Sequence, residues 1–129
     1  HSPGSTDGAG IRPSLSDDDV RSLLTGCEAD LVCVAHTHCP LRIQAGDVDL
    51  VNIGGVSNPV LPDLLARYVV LDAERAGYRV RYRSVRYDRE AVIAAAYGAN
   101  YPGAQYIEKY MRGRFQPGWA RAKAVTETL

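Results

Sequence analysis

The sequence predicts an α/β fold, on three observations. A short apolar run at residues 31–35 stops abruptly at His36 and His38, two apolar segments flank a tight Ala45-Gly46-Asp47 turn, and two polar-capped helices lie on either side of the strand-rich region. With 129 residues the chain is one domain by length, or half of a larger one. Fifteen basic and fifteen acidic residues cancel, so no global field favours nucleic acid or an anionic membrane. No stretch approaches the 18 apolar residues that a membrane span needs. Three cysteines, an odd number, suit a reducing compartment, and a cytoplasmic location is the expectation. The chain does not begin with Met and shows no signal segment, and reads as a processed product or a piece of a longer polypeptide.

The Gly-, Ser- and Pro-rich residues 1–13 are expected to be loop. Ser16 followed by Asp17, Asp18 and Asp19 starts a helix, a hydroxyl cap with negative charge in the first turn. Val20, Leu23 and Leu24 form its apolar stripe, and Gly26 suits its end. Residues 31–35 read as a central strand buried on both faces. Cys27 and Cys33 are expected near the helix end and within this strand, as small hydrophobes. Residues 41–44 and 48–53 form a hairpin, and residues 54–65, with two glycines and two prolines, form a loop.

Residues 67–71 give a strand, 72–77 a turn, and 78–87 a long strand. In the last, Tyr78, Val80 and Tyr82 share one face and Arg79, Arg81 and Arg83 the other, which reads as a solvated row. The phase slips at Ser84, as a bulge would cause. Asp88 caps a helix through residue 96 or 97, with Ala91, Val92, Ala95 and Ala96 expected on its buried side. A last helix spans residues 104–112, with Tyr106, Ile107 and Tyr110 as packing residues, and Trp119 is available to dock the tail.

The chemistry concentrates in ADLVCVAHTHCPLRI (residues 29–43) and VDLVNIGGVSNP (residues 48–59). In an extended backbone His36 and His38 point the same way, and paired imidazoles at a strand's mouth suit a metal. The two segments, in this order, resemble the C-terminal half of the calcineurin-like metallophosphoesterases, in particular their small bacterial and archaeal phosphodiesterase branch. There a strand ends in GHxH, a hairpin follows, and the next strand ends in an NPGS-type loop. The resemblance implies a four-layer α-β-β-α sandwich, with residues 1–113 as the C-terminal half of that domain and 114–129 as a tail.

It further implies hydrolysis of phosphate esters, phosphodiesters preferred, by two divalent transition-metal ions (Mn, Fe, Ni or Zn) about 4 Å apart. His36 would bind one metal and His38 the other, and His1, in HSPG, would be a further ligand. Asn52, Gly54 and Gly55 would form the loop beside the substrate. The partner is then a small phosphate ester; nucleic acid enters only as a nucleotide-like substrate, and homo-oligomerisation is open. Ala35 stands for the family's Gly, Ile53 for its Pro and Gly55 for its Ser. The N-terminal DxH, GDxx and GNHD or GNHE motifs are absent from the sequence, so the chain alone is expected to be inactive. Two rival readings stand beside this one: a non-catalytic interaction scaffold of the same fold, as in the retromer coat, and a structural zinc site built from His36, His38 and Cys39.

Overall fold

The computed structural model describes residues 10–121, apart from the side chains of Trp119 and Arg121. Helix α1 (Asp17–Leu23) begins at a reciprocal cap. The Asp19 N–H donates to Ser16 Oγ at 3.1 Å, and the Ser16 N–H donates to Asp19 Oδ2 at 3.0 Å. Two amides that a helix start leaves unpaired are thereby satisfied. The bonds from Ser16 hold the Asp19 carboxyl below its usual range. Gly26, at φ +78°, turns the chain away after the helix.

Strands β1 (Leu31–Val34), β2 (Leu41–Ala45) and β3 (Val48–Asn52) form one sheet in the order β1-β3-β2. β1 runs parallel to β3 and β2 antiparallel to it. Strands β4 (Ala66–Glu74) and β5 (Gly77–Val85) form a second, two-stranded sheet. Helices α2 (Arg89–Gly98) and α3 (Ala104–Met111) pack on each other, and a 3-10 turn covers Gly118–Arg121. The described residues thus make a small mixed α/β domain with two small sheets and three α-helices.

Strand alternation sorts the core into layers. Leu50 of β3 joins Val20 of α1, Leu24 just after it, Val34 of β1 and Leu41 of β2 on one face. Val51, its neighbour, meets Val80 and Tyr82 of β5 on the other. Polar bonds tie the two sheets as well. Arg42 grips the buried Asp49 carboxylate through Nε and Nη2 at 2.7–3.1 Å, and Tyr78 Oη reaches the same carboxylate at 3.2 Å. Tyr82 Oη donates to the Leu41 carbonyl at 2.7 Å. A third cluster gathers Cys39, Val60, Leu61, Tyr110 and Ala120, so residue 120 packs into the body.

Several expectations need correction. The run 31–35 ends as a strand at Val34 and lies at a sheet edge, with β3 its pairing partner among the described residues. Its β-branched, apolar composition is the same for an edge as for a centre. Cys27 and Cys33 are exposed. Residues 72–74 continue β4, so the turn shrinks to Arg75 and Ala76, and β4 pairs with β5 without a break from Ala66↔Val85 to Glu74↔Gly77. There is no bulge at Ser84; Val85 is simply exposed at the strand's end. In α2 the buried residue is Ile93, while Ala91 and Ala95 face solvent. Alanine is small enough to sit on either face, and periodicity alone misplaced the stripe.

Cys33 and Leu71 both alternate toward the layer between the sheets, yet both reach solvent, Leu71 at 47% exposure. An open edge with uncovered apolar flanks is prone to association. The isolated 129-residue chain is therefore expected to self-associate, as read by light scattering. A monodisperse monomer with one cooperative thermal transition would show that this edge needs no cover.

Candidate functional site

β1 stops before the histidines, so the alternation rule for extended chain does not orient them. Instead both rings hang from left-handed backbone, His36 at φ 74° and His38 at φ 55°. The Thr37 N–H donates to the Ala35 carbonyl at 2.9 Å. With that bond and its φ, His36 sits at the centre of the strained form of the γ-turn. Such backbone costs on the order of 1–3 kcal/mol per residue and persists only where its surroundings hold it. The strain falls on the histidines and not on Ala35, so the missing Gly of the motif costs nothing there.

The surroundings are built by Asn52, which is wholly buried at the end of β3. Its Nδ2 donates to Thr37 Oγ1 at 2.8 Å and to the Ala35 carbonyl at 3.3 Å. Its Oδ1 accepts from the Gly54 N–H at 3.1 Å. Thr37 Oγ1 in turn donates to the Ile11 carbonyl at 3.0 Å. The Ile53 N–H extends the ladder to the Val34 carbonyl at 3.0 Å, a bond that a proline at this position has no N–H to make. Asn52 therefore lies beneath the loop it was expected to line, as its clamp.

His38 is oriented by two carbonyls. Its Nδ1 lies 2.9 Å from the Ser57 oxygen and 3.1 Å from the Asn58 oxygen. A carbonyl only accepts, so Nδ1 carries a proton, and in the neutral ring the lone pair falls to Nε2. This arrangement is the usual support of a metal-binding imidazole. Gly55 gives the ring its room, since a Cβ there would stand 2.8 Å from both Cγ and Nδ1 of His38. At Gly54, φ +78°, a Cβ would strike the Cβ of Arg67 at 2.8 Å.

His36, Thr37 and His38 line one cavity of about 300 Å³ together with Arg12, Asn58, Val60, Tyr106, Tyr110 and Phe115. The tyrosine rings meet edge-on at 4.9 Å with their hydroxyls 3.0 Å apart, and Tyr110 lies 4.7 Å from Phe115. Burial and the bond to Tyr106 push the Tyr110 hydroxyl up. Tyr110 packs in the core as expected, while Tyr106 is exposed and lines the cavity with Arg12, Asn58 and Phe115, which the sequence does not single out. The i, i+4 spacing of Tyr106 and Tyr110 was the one available signal.

Cys39 is fully buried, donating its thiol to the Ala120 carbonyl at 3.4 Å, and burial pushes its pKa up to about 11. It packs as a hydrophobe, and the zinc site that includes it loses its third ligand. His1 lies outside the described residues. Among the described residues, no group of three or more His, Cys, Asp or Glu converges on a point. Two imidazoles lining one cavity leave a metal site incomplete among the described residues, and a metal pair would need bridging anions from elsewhere.

No protein-family model and no curated protein matches the chain. A similar solved structure is the crystal structure of hypothetical protein PH1004 from Pyrococcus horikoshii OT3, with a TM-score of 0.68 and 19% identity over 91% of this chain. The chain spans 44% of that protein's length. At such identity the likeness is one of fold. No helix among the described residues is long and apolar enough to cross a membrane.

Two outcomes follow from this geometry. Gly55→Ala should displace the His38 ring, read as a shift of its imidazole resonances by NMR, while the circular dichroism spectrum is kept; unchanged resonances would show that the contact is slack. Brief alkylation of the native isolated chain at neutral pH, read by mass spectrometry, should label Cys27 and Cys33 and spare Cys39. Equal labelling of all three thiols would contradict the buried position of Cys39.

Proposed function

We propose that this chain supplies the histidine side of a metal-dependent phosphoesterase centre, within a four-layer domain completed by further polypeptide. The observation that carries the reading is His38, whose Nδ1–H is fixed on two backbone carbonyls while it lines the same cavity as His36. A free surface histidine has no use for such support, whereas a ligand must be held in one tautomer and one direction. The order of loops supports it too: the strand-histidine loop and the Asn-Ile-Gly-Gly loop are tied by the Asn52 amide, as two halves of one rim.

In such a centre the metal ions would make a nucleophile of bound water and neutralise charge on the phosphoryl group. The chain's own part is narrower. His36 and His38 present nitrogen donors, Asn52 holds the loop that aims them, and Gly55 keeps the His38 ring unobstructed. Arg12 lines the same cavity. Phosphodiesters and phosphomonoesters are the proposed substrates, and the free cysteines suit a cytoplasmic setting.

His36→Ala and His38→Ala in the full-length protein test this. Each should lose bound metal and reduce hydrolysis of an aryl phosphodiester by roughly 100-fold or more, with the fold retained. Unchanged turnover in both variants rules out the catalytic reading. A metal-free wild type without phosphatase or phosphodiesterase activity would favour the non-catalytic scaffold.

A further inference from the structure

A second cavity, of about 400 Å³, shares no lining residue with the histidine cavity. Asp63, Leu64 and Leu65 line it from the loop before β4, and Arg86, Tyr87 and Arg89 from the junction of β5 and α2. The loop part is held rigidly. The Leu64 backbone is left-handed at φ 57°, a conformation that leucine adopts only where its surroundings impose it. Its N–H donates to the Leu61 carbonyl at 3.1 Å. The buried Arg67 donates to the Leu65 carbonyl at 3.3 Å and to the Asp63 carboxylate. The charges of the lining do not balance. Asp63 is matched by Arg67, whereas among the described residues neither Arg86 nor Arg89 has an ion-pair partner. Arg89 gives one N–H to the Met111 carbonyl at 3.0 Å, and its guanidinium has further donors. Tyr87 Oη donates to the Met111 sulfur at 2.9 Å, and a thioether is a weak acceptor that a ligand oxygen would outcompete.

We propose that this second cavity binds a small organic carboxylate with a short aliphatic body. Guanidinium groups match a carboxylate with paired N–H bonds, so Arg86 and Arg89 supply the charged contacts. Leu64 and Leu65 supply the apolar ones. A bare anion would leave the leucines uncovered, and a neutral apolar molecule would leave the guanidinium groups unmatched, so both halves are needed in one ligand. The volume falls within the range of small-molecule sites, roughly 300 to 1,000 Å³. Because the loop is already fixed by Arg67, little ordering remains to oppose binding. The site stands apart from the phosphoesterase reading and needs no metal.

The test is calorimetry on the full-length protein with three probes: hexanoate, and its two halves in the form of acetate and hexan-1-ol. Hexanoate should bind about ten-fold or more tightly than either half. Arg86→Gln should weaken hexanoate binding by about ten-fold. Arg86 is exposed directly after β5, and its replacement should leave the circular dichroism spectrum and thermal transition in place. In parallel, NMR of the wild type should show the Leu64 and Leu65 methyl resonances moving with added hexanoate. Absence of hexanoate binding overturns the proposal, as does equal binding by wild type and R86Q. Acetate binding as tightly as hexanoate would reduce the site to a basic surface patch, and hexan-1-ol doing so would reduce it to an apolar one. Hexanoate binding that leaves both leucines unshifted would place the ligand elsewhere and likewise refute it.

Discussion

The buried amide of Asn52 is the interaction on which the rest of the site depends. It stands at the end of β3, where the parallel pairing with β1 runs out, and replaces the missing ladder with side-chain bonds. One nitrogen serves Thr37 and Ala35, one oxygen serves Gly54, and Thr37 passes the connection to Ile11. These partners lie within the two loops of the site or, at Ile11, beside Arg12. A buried amide left without partners costs about 1–3 kcal/mol, so each bond also keeps the others in place. Two left-handed histidines with one residue between them need that kind of enforcement.

The hydrogen-bonded clamp also explains why this loop tolerates departures from the phosphoesterase pattern it resembles. Ile53 adds a main-chain bond where the family has proline, and Ala35 occupies ordinary backbone. Gly55 stands where a serine would drive its Cβ against the His38 ring. The substitutions thus form a set in which the ring and the glycine are matched.

Much of the fold was legible in the sequence for local reasons. The cap of α1, the Asp88 cap of α2, the hairpin at Gly46 and the break at residues 100–103 each rest on residues adjacent in the chain. What failed depended on distant partners. Nothing in Leu31, Val32 and Cys33 says whether a strand will gain one neighbour or two. The alanines of α2 carry too little apolar area to fix its rotation. At the site, the histidine pair was legible as a motif, but the direction of each ring was not, because it comes from positive φ and from the carbonyls of Ser57 and Asn58, some twenty residues away. Tyr106, Tyr110 and Phe115 reach the cavity only because α3 packs beside the loops that form it.

The left-handed backbone at His36 and His38 has a bearing on how such a site survives in evolution. Glycine would sit there with less strain, although histidine, with asparagine and aspartate, is among the side chains that region admits most readily. Drift toward stability therefore runs against the histidines, and replacing either by glycine would relieve the backbone while deleting a donor. A lineage that kept the fold and lost the need for the chemistry would shed these two side chains early. Their joint presence at positive φ ties both rings to a local backbone that glycine would adopt with less strain.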